Sequence, residues 1–173
     1  MRRDLRIERV FPYDRALLWR SLTDPVLLAT WLMKNDFRPE VGHAFTMHTD
    51  PAPGFDGVVR CTVLELVPEQ RMRWSWAGGG IETELTFVLE DAILYGRSAT
   101  KLVLLHRGFE GMQAMLTSFI LGAGWARMLR TTLRAILDAL AQGRPAPTRT
   151  EGAPKEKLAL WRIIAKLVAP LRR

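Results

Sequence analysis

The feature of this chain that most restricts its fold is a long region of alternating apolar and polar residues between Val41 and His106. Alternation with a period of two places successive side chains on opposite faces of a β-strand. Turn-forming residues interrupt the alternation at 50–54, at 68–70, at 78–80 and around Gly96. The pattern therefore predicts five consecutive strands joined by short connections, as in an antiparallel sheet.

The alternation also divides the predicted sheet into two faces. The apolar face carries Phe45, Met47, Val59, Cys61, Val63, Met72, Trp74, Trp76, Thr83, Leu85, Phe87, Leu89, Leu102, Leu104 and His106. The polar face carries Arg60, Thr62, Arg71, Arg73, Ser75, Glu82, Glu84, Thr86, Lys101 and Arg107. A sheet of this kind has one solvated face, and its apolar face needs a covering element.

The segments before and after the sheet predict the helices. A first strand at 5–11 ends at Pro12, and two short helices follow, the second with Asp24 as its N-cap and Pro25 as its first residue. From Met112 to about Ala141 the chain predicts one long helix, interrupted by a kink or break near the glycines at 122 and 124. Its predicted core stripe is Met115, Phe119, Trp125, Leu129, Leu133, Ile136 and Leu140.

The end of the chain differs in composition from the rest. Residues 144–154 are rich in proline and glycine and predict a linker, which leaves residues 1–143 as the main domain. Residues 155–173 predict a basic amphipathic helix that docks on its own domain, on a dimer partner, on a membrane surface or on another partner. Its candidate contact residues are Trp161, Arg162, Ile164, Lys166 and Leu167.

Charge and composition exclude several function classes. Of the net charge of +7, residues 144–173 contribute +6, so the main domain is not expected to bind nucleic acid. Cys61 is the only cysteine, which excludes an internal disulfide and a thiolate zinc cluster. The charged start does not read as a secretory signal, and no apolar run reaches the roughly 20 residues of a membrane-spanning helix. We therefore expect a cytoplasmic protein, with the inner membrane surface as an alternative location for the C-terminal helix.

The sequence contains no constellation typical of a catalytic, metal or cofactor site. His43 and His48 differ by five positions, so they point to opposite faces of one strand and cannot share a metal ion. His106 lies on the apolar face, where it either bonds to nearby backbone or donates to a ligand carbonyl. We expect no enzyme, no metal and no cofactor.

Several short motifs resemble those of a known family. They are LWRSLTDP at 18–25 with Trp31 after it, GVVRCTVLELVP at 57–68, WSW at 74–76, TKLVLLHRG at 100–108, and Gly124-Trp125 followed by leucines at 129, 133 and 137. Together, over about residues 5–141, they resemble the bacterial members of the activator of heat-shock protein 90 ATPase family, in the START-like (SRPBCC) superfamily. The tail after Gly143 has no counterpart in that family's core.

The resemblance implies an α+β helix-grip fold, in which a curved antiparallel sheet wraps around the long C-terminal helix, with two short helices after the first strand. The extra C-terminal amphipathic helix is an addition to it. The resemblance also implies a cavity between sheet and long helix, although the same apolar side chains equally form an ordinary core. The candidate cavity-lining residues are Phe45, Met47, Cys61, Trp74, Trp76, Leu85, Phe87, Leu104, His106, Met112, Met115 and Phe119.

Three functions are compatible with these features. The first is non-catalytic binding of an apolar or amphipathic small molecule in the cavity. The second is a protein-interaction module, with a chaperone as the partner that the family name suggests, and the third is a cyclase-type enzyme. An open cavity of a few hundred Å³ favours the first, whereas a filled interior with an exposed apolar patch favours the second.

Overall fold

The alternating region forms the centre of a seven-stranded antiparallel sheet in the computed structural model, which describes residues 1–147. The strands are β1 (Arg2–Phe11), β2 (Lys34–Asn35), β3 (Ala44–His48), β4 (Val58–Val67), β5 (Arg71–Gly78), β6 (Ile81–Leu94) and β7 (Arg97–Glu110). Their spatial order is β1-β7-β6-β5-β4-β3-β2, so the first strand returns to pair with the last. The five strands predicted from the alternation are confirmed as β3 to β7, and the two-residue β2 was too short to show a period.

The helices are α1 (Arg15–Thr23), α2 (Pro25–Trp31), α3 (Met112–Arg130) and α4 (Thr132–Ala141). The predicted start of α2 is confirmed, because the Asp24 side chain accepts hydrogen bonds from the backbone N–H groups of Val26 (2.9 Å) and Leu27 (3.2 Å). Asp14 caps α1 in the same way through the Leu17 N–H, at 2.8 Å. Local capping chemistry therefore sets where both short helices begin.

The two faces of the sheet follow the alternation closely. All fifteen residues predicted for the apolar face are buried. On the polar face the prediction for Thr86 is wrong, since it is buried, together with Val103 and Leu105 on the neighbouring strand. Thr86 lies in register with Arg73 on one side and Leu105 on the other, so its short side chain sits between longer ones in the middle of the sheet.

The long C-terminal helix breaks at Thr131 and not near the glycines, so the predicted position of the break is wrong. The Thr131 hydroxyl donates to the Arg127 carbonyl at 2.8 Å, and the Thr132 hydroxyl lies 3.1 Å from the Met128 carbonyl. Hydroxyl groups that bond back to the preceding turn bend helices. The Thr132 hydroxyl also lies 3.2 Å from the Trp31 carbonyl of α2, so the break coincides with the contact between α4 and the short helices. The helix α3 runs without interruption through residues 122 and 124.

The two parts of the helix cover different parts of the molecule. The first part, α3, lies against β1 and β7. A Cβ atom added at Gly122 would lie 3.4 Å from the Leu5 Cδ2 atom. The second part, α4, packs against α1 and α2, and the Tyr13 hydroxyl donates to Asp138 across this contact. The helix-grip architecture predicted from the sequence is thereby confirmed.

Within residues 1–147, none of the helices combines the length and the apolar character needed to cross a bilayer. The predicted linker is described only in its first residues. The predicted C-terminal helix, with Trp161, Arg162, Ile164, Lys166 and Leu167, lies outside the described residues. The division of the chain into 1–143, 144–154 and 155–173 therefore stays a prediction.

Candidate functional site

The predicted binding face forms a continuous layer of rings between the sheet and the helices. Trp74 lies edge-on to Phe45 and to Phe87, with ring centroids 5.1 and 5.2 Å apart. Phe87 continues to Trp125 of α3 at 6.3 Å, and Trp125 contacts Trp76 at 5.7 Å. Edge-to-face contacts of this kind are favourable beyond the area they bury. We call this group, with His106, the aromatic layer.

His106 is held in one tautomer by its neighbours in the aromatic layer. The Trp125 indole N–H donates to its Nδ1 atom at 3.2 Å, so the ring proton must be on Nε2, which lies 2.8 Å from the Thr83 hydroxyl. That hydroxyl in turn donates to the Trp76 carbonyl at 3.3 Å. Burial lowers the pKa of His106 to about 3, so the ring is neutral at physiological pH. Both nitrogens are engaged, and His106 joins the sheet to α3.

One polar atom of the aromatic layer lacks a protein partner. The Trp74 indole Nε1 is fully buried and makes no hydrogen bond, in contrast to the Trp31 indole, which donates to the Ser21 carbonyl at 2.9 Å. An unpaired buried donor is destabilising relative to a paired one and is uncommon in native interiors. Met47 and Phe45, both on β3, belong to the same buried apolar cluster.

Within residues 1–147, the side chains of the aromatic layer are almost entirely shielded from water. Most of the predicted cavity-lining residues of the sheet lie where no water molecule reaches them, namely Met47, Trp74, Leu85, Phe87, Leu104 and His106. Phe45, Cys61 and Trp76 are also buried. Burial raises the pKa of the Cys61 thiol to about 12, so this sulfur is an unreactive apolar group. The structure brings these nine predicted residues together, packed against one another.

The three predicted cavity residues of α3 are placed differently. Met112 and Phe119 are exposed, by 63% and 54%, and Met115 is half-buried, so the prediction that Met112 and Phe119 line the interior is wrong. The buried positions of this part of α3 are instead Ala114 and Ser118. The helix lies close to β1, and only small side chains fit between them. Small residues at 114, 118 and 122 were the signal in the sequence that marks this contact face.

The exposed side of α3 carries a row of large apolar side chains. Met112, Leu116 and Phe119 are spaced by four and three residues, so they share one face of the helix, and Leu116 is 39% exposed. We call these three residues the α3 stripe. The exposed Met1 adjoins its first turn, since the Gly111 N–H donates to the Met1 carbonyl at 3.1 Å. At the other end, the Arg3 guanidinium lies 3.6 Å from the centre of the Phe119 ring.

A separate open cleft of about 620 Å³ lies beside the polar face of the sheet, at the turn between β5 and β6. It is lined by Gly54, Asp56, Arg60, Ala77, Gly78, Gly79, Gly80, Ile81 and Glu82. None of the predicted cavity-lining residues belongs to it. Its one cationic side chain, Arg60, pairs with Asp56 at 3.0 Å, so the cleft has no uncompensated positive charge.

Comparisons with known proteins agree with this architecture. The family model described as "Activator of Hsp90 ATPase homolog 1-like protein" matches residues 12–138. Among solved structures, protein MLL2253 from Mesorhizobium loti is 29% identical with a TM-score of 0.67, and the match covers 79% of this chain and 97% of that chain. A comparison with curated proteins gives no match.

Two further solved structures share the fold. CalU16 from Micromonospora echinospora is 20% identical with a TM-score of 0.62, and the match covers 98% of this chain and 88% of that chain. The Aha1 dimer from Colwellia psychrerythraea is 18% identical with a TM-score of 0.62, and the match covers 76% of this chain and 94% of that chain. At these identities the likeness concerns the fold alone.

Proposed function

The chain belongs to the Activator of Hsp90 ATPase homolog 1-like family, and from this premise we propose that it is a non-catalytic START-like module that acts by docking through the α3 stripe. The observation that carries this proposal is the opposite placement of small and large apolar residues on α3. In the part of the chain that the structure describes, the side chains at the centre of the sheet are fully buried, whereas Met112 and Phe119 lie on the surface.

The closed interior argues against a ready-made ligand cavity. Ligand pockets are usually largely formed before the ligand arrives, with volumes of about 300–1,000 Å³. Here the residues at the centre of the sheet are in contact with one another and leave no room for water. A ligand between sheet and helix would have to displace side chains of the aromatic layer.

The α3 stripe, in contrast, is exposed on the surface formed by residues 1–147. Three large apolar side chains on consecutive turns of one helix form a contiguous patch, whereas isolated exposed apolar residues are ordinary. Contiguous exposed apolar patches mark contact sites for other molecules. Docking through the stripe would remove Met112, Leu116 and Phe119 from water.

The chemistry of His106 supports a non-catalytic role. A general acid or base needs a pKa near the working pH and an exchangeable proton in reach of a substrate. The pKa of His106 is about 3, and its two nitrogens are bonded to Trp125 and Thr83. These contacts fit a structural connection between the sheet and α3.

Site-specific photo-cross-linking in the native host tests this proposal. A benzophenone amino acid is placed at Phe119 in the α3 stripe and, as a matched control, at Ile93, an exposed apolar residue near the β6–β7 turn. We expect a discrete adduct from position 119 and none from position 93. Either a lipid adduct or a protein adduct at position 119 supports docking through the stripe. A chaperone of the kind named in the family description would be seen as a protein adduct.

Equal labelling at the two positions, or no adduct at either, would contradict docking through the stripe. Because both positions are exposed, the two variants are expected to fold equally well. Circular dichroism of both variants checks this assumption before the adducts are compared.

Small-molecule binding in the interior is a second candidate, favoured by the unpaired Trp74 indole N–H. A ligand with an acceptor atom in the aromatic layer would satisfy this donor, and Met47 and Met72 are adaptable side chains of the same buried cluster. Binding would require those side chains to move.

Native mass spectrometry of the protein purified from its own host separates this candidate from a plain core. A ligand that accepts from Trp74 should add a discrete mass to the wild type and be lost or reduced about tenfold in Trp74→Phe. In a plain core, Trp74→Phe removes an unpaired donor, so the wild type carries no added mass and the variant is as stable as the wild type or more so.

A further inference from the structure

We infer that the surface recognised by the α3 stripe is an anionic lipid surface, with the cationic C-terminal residues 155–173 as a second anchor. This inference rests on the proposed docking role of the stripe. It adds a class of partner that the fold does not specify and that differs from the chaperone named in the family description.

The shape of the stripe fits a lipid surface. The three side chains project from one convex helix face, and none of them carries a strong hydrogen-bonding group that would orient a protein partner. Specific protein interfaces combine an apolar centre with hydrogen bonds, at about one per 100–200 Å². A bilayer surface accepts a convex apolar patch without a matching groove, as it does for amphipathic helices that lie in the interface.

Cations adjoin the stripe. Arg3 stacks on Phe119, and the exposed Arg127 follows Phe119 by eight residues, on the same face of α3. Such cations favour contact with anionic headgroups while the apolar side chains enter the boundary region.

The acidic side chains at this end of the molecule are compensated. Both Asp4 and Glu110 pair with Arg2, at 3.5 and 3.8 Å. Asp4 also accepts a hydrogen bond from the Gly108 N–H at 2.9 Å. Arg2, Arg3 and Arg127 together outnumber these two acids, so this end of the molecule keeps a positive charge to face headgroups.

The charge of the C-terminal residues supports the same partner. Residues 144–173 contain eight Lys and Arg against two acidic residues, and residues 1–143 are close to neutral. The main domain thus offers no net negative charge to attract this segment, whereas an anionic leaflet does. Each basic residue near such a leaflet strengthens binding by roughly fivefold.

Co-sedimentation of the full chain with vesicles tests this inference. The anionic vesicles contain phosphatidylcholine with about 30% phosphatidylglycerol, and the neutral vesicles contain phosphatidylcholine alone, both at about 0.15 M salt. We expect binding to the anionic vesicles and at least about tenfold weaker binding to the neutral ones.

Three full-chain variants test the two anchors. Met112→Ser with Phe119→Ser, and separately Lys155→Gln with Lys157→Gln, Arg162→Gln and Lys166→Gln, should each weaken binding by about tenfold or more. The matched control, Ile93→Ser with Tyr95→Ser, removes two exposed apolar side chains elsewhere and should bind like the wild type. Circular dichroism is used to check that all three variants fold.

Absence of binding to anionic vesicles, or binding that the stripe variant leaves unchanged, would overturn the inference. If position 119 forms an adduct with a protein in the host while the vesicles are not bound, the lipid partner is wrong and the docking role stands. If position 119 also forms no adduct, both proposals fail.

Discussion

The two parts of the C-terminal helix use their apolar residues in opposite ways. In α4, the large side chains Leu133, Ile136 and Leu137 are buried. In the first half of α3, the buried residues are Ala114 and Ser118, and the large side chains of the α3 stripe are exposed. The neighbours of each part explain the difference, because α4 packs on two helices whereas α3 lies close to β1.

Helical spacing alone therefore does not identify which face of a helix is buried. Spacings of three and four residues show which side chains share a side of the helix. When one side carries small residues and the other carries large apolar ones, the distance to the neighbouring element decides which side is buried. Because α3 approaches Leu5 of β1 closely at Gly122, the side of α3 that carries the small residues is the buried one.

The largest expected effect is a loss of folding stability on substitution in α4, compared with a matched substitution in α3. Leu137→Ala in α4 removes a fully buried side chain and should lower the free energy of unfolding by about 3 kcal/mol. Met112→Ala in the α3 stripe is the matched change at an exposed site and should alter it by about 0.5 kcal/mol or less. Urea denaturation measures both. Similar losses in the two variants would show that the stripe is part of the core, and that α3 and α4 bury their large apolar residues alike.

The second prediction concerns His106, which accepts a hydrogen bond from Trp125 of α3. The folded-state pKa of about 3 lies below the unfolded value of about 6.5, so the unfolded chain takes up a proton that the folded chain excludes as the pH falls. The free energy of unfolding should therefore decrease by about 2–3 kcal/mol between pH 6.5 and 4.5. Urea titrations of wild type and His106→Gln measure it. An unchanged pH slope in the variant would assign the loss to other groups.

The smallest expected effect distinguishes the two glycines of α3. A side chain at Gly122 would meet Leu5, so Gly122→Leu should push α3 off β1 and destabilise the protein by about 1–3 kcal/mol. A side chain at Gly124 would have no heavy atom within 4 Å, so Gly124→Ala should stabilise the helix by about 0.5–1 kcal/mol. Thermal unfolding of both variants is the measurement. Equal effects of the same sign would mean that close approach does not select the buried side of α3.

Much of the site was predictable, and the rest depended on packing. The ring layer from Phe45 to Phe87 was found from period two, because a strand has only two faces and one was clearly apolar. Trp125 and its bond to His106 join residues 19 positions apart, and no local pattern specifies such a pair. Hydrophobicity alone predicts Met112 and Phe119 in the interior, whereas the small residues at 114, 118 and 122 mark the side of α3 that is buried.

By itself the sequence determined β1, the strands β3 to β7 with their turns, the start of α2 and the family, since each of these depends on local spacing or on a motif. Tertiary structure decided which side of α3 is buried, where the long helix breaks and whether the interior is open. These three properties depend on distances between elements that are far apart in the chain. Tight packing makes such distances sensitive to single side-chain volumes, which a pattern of apolar and polar residues does not record.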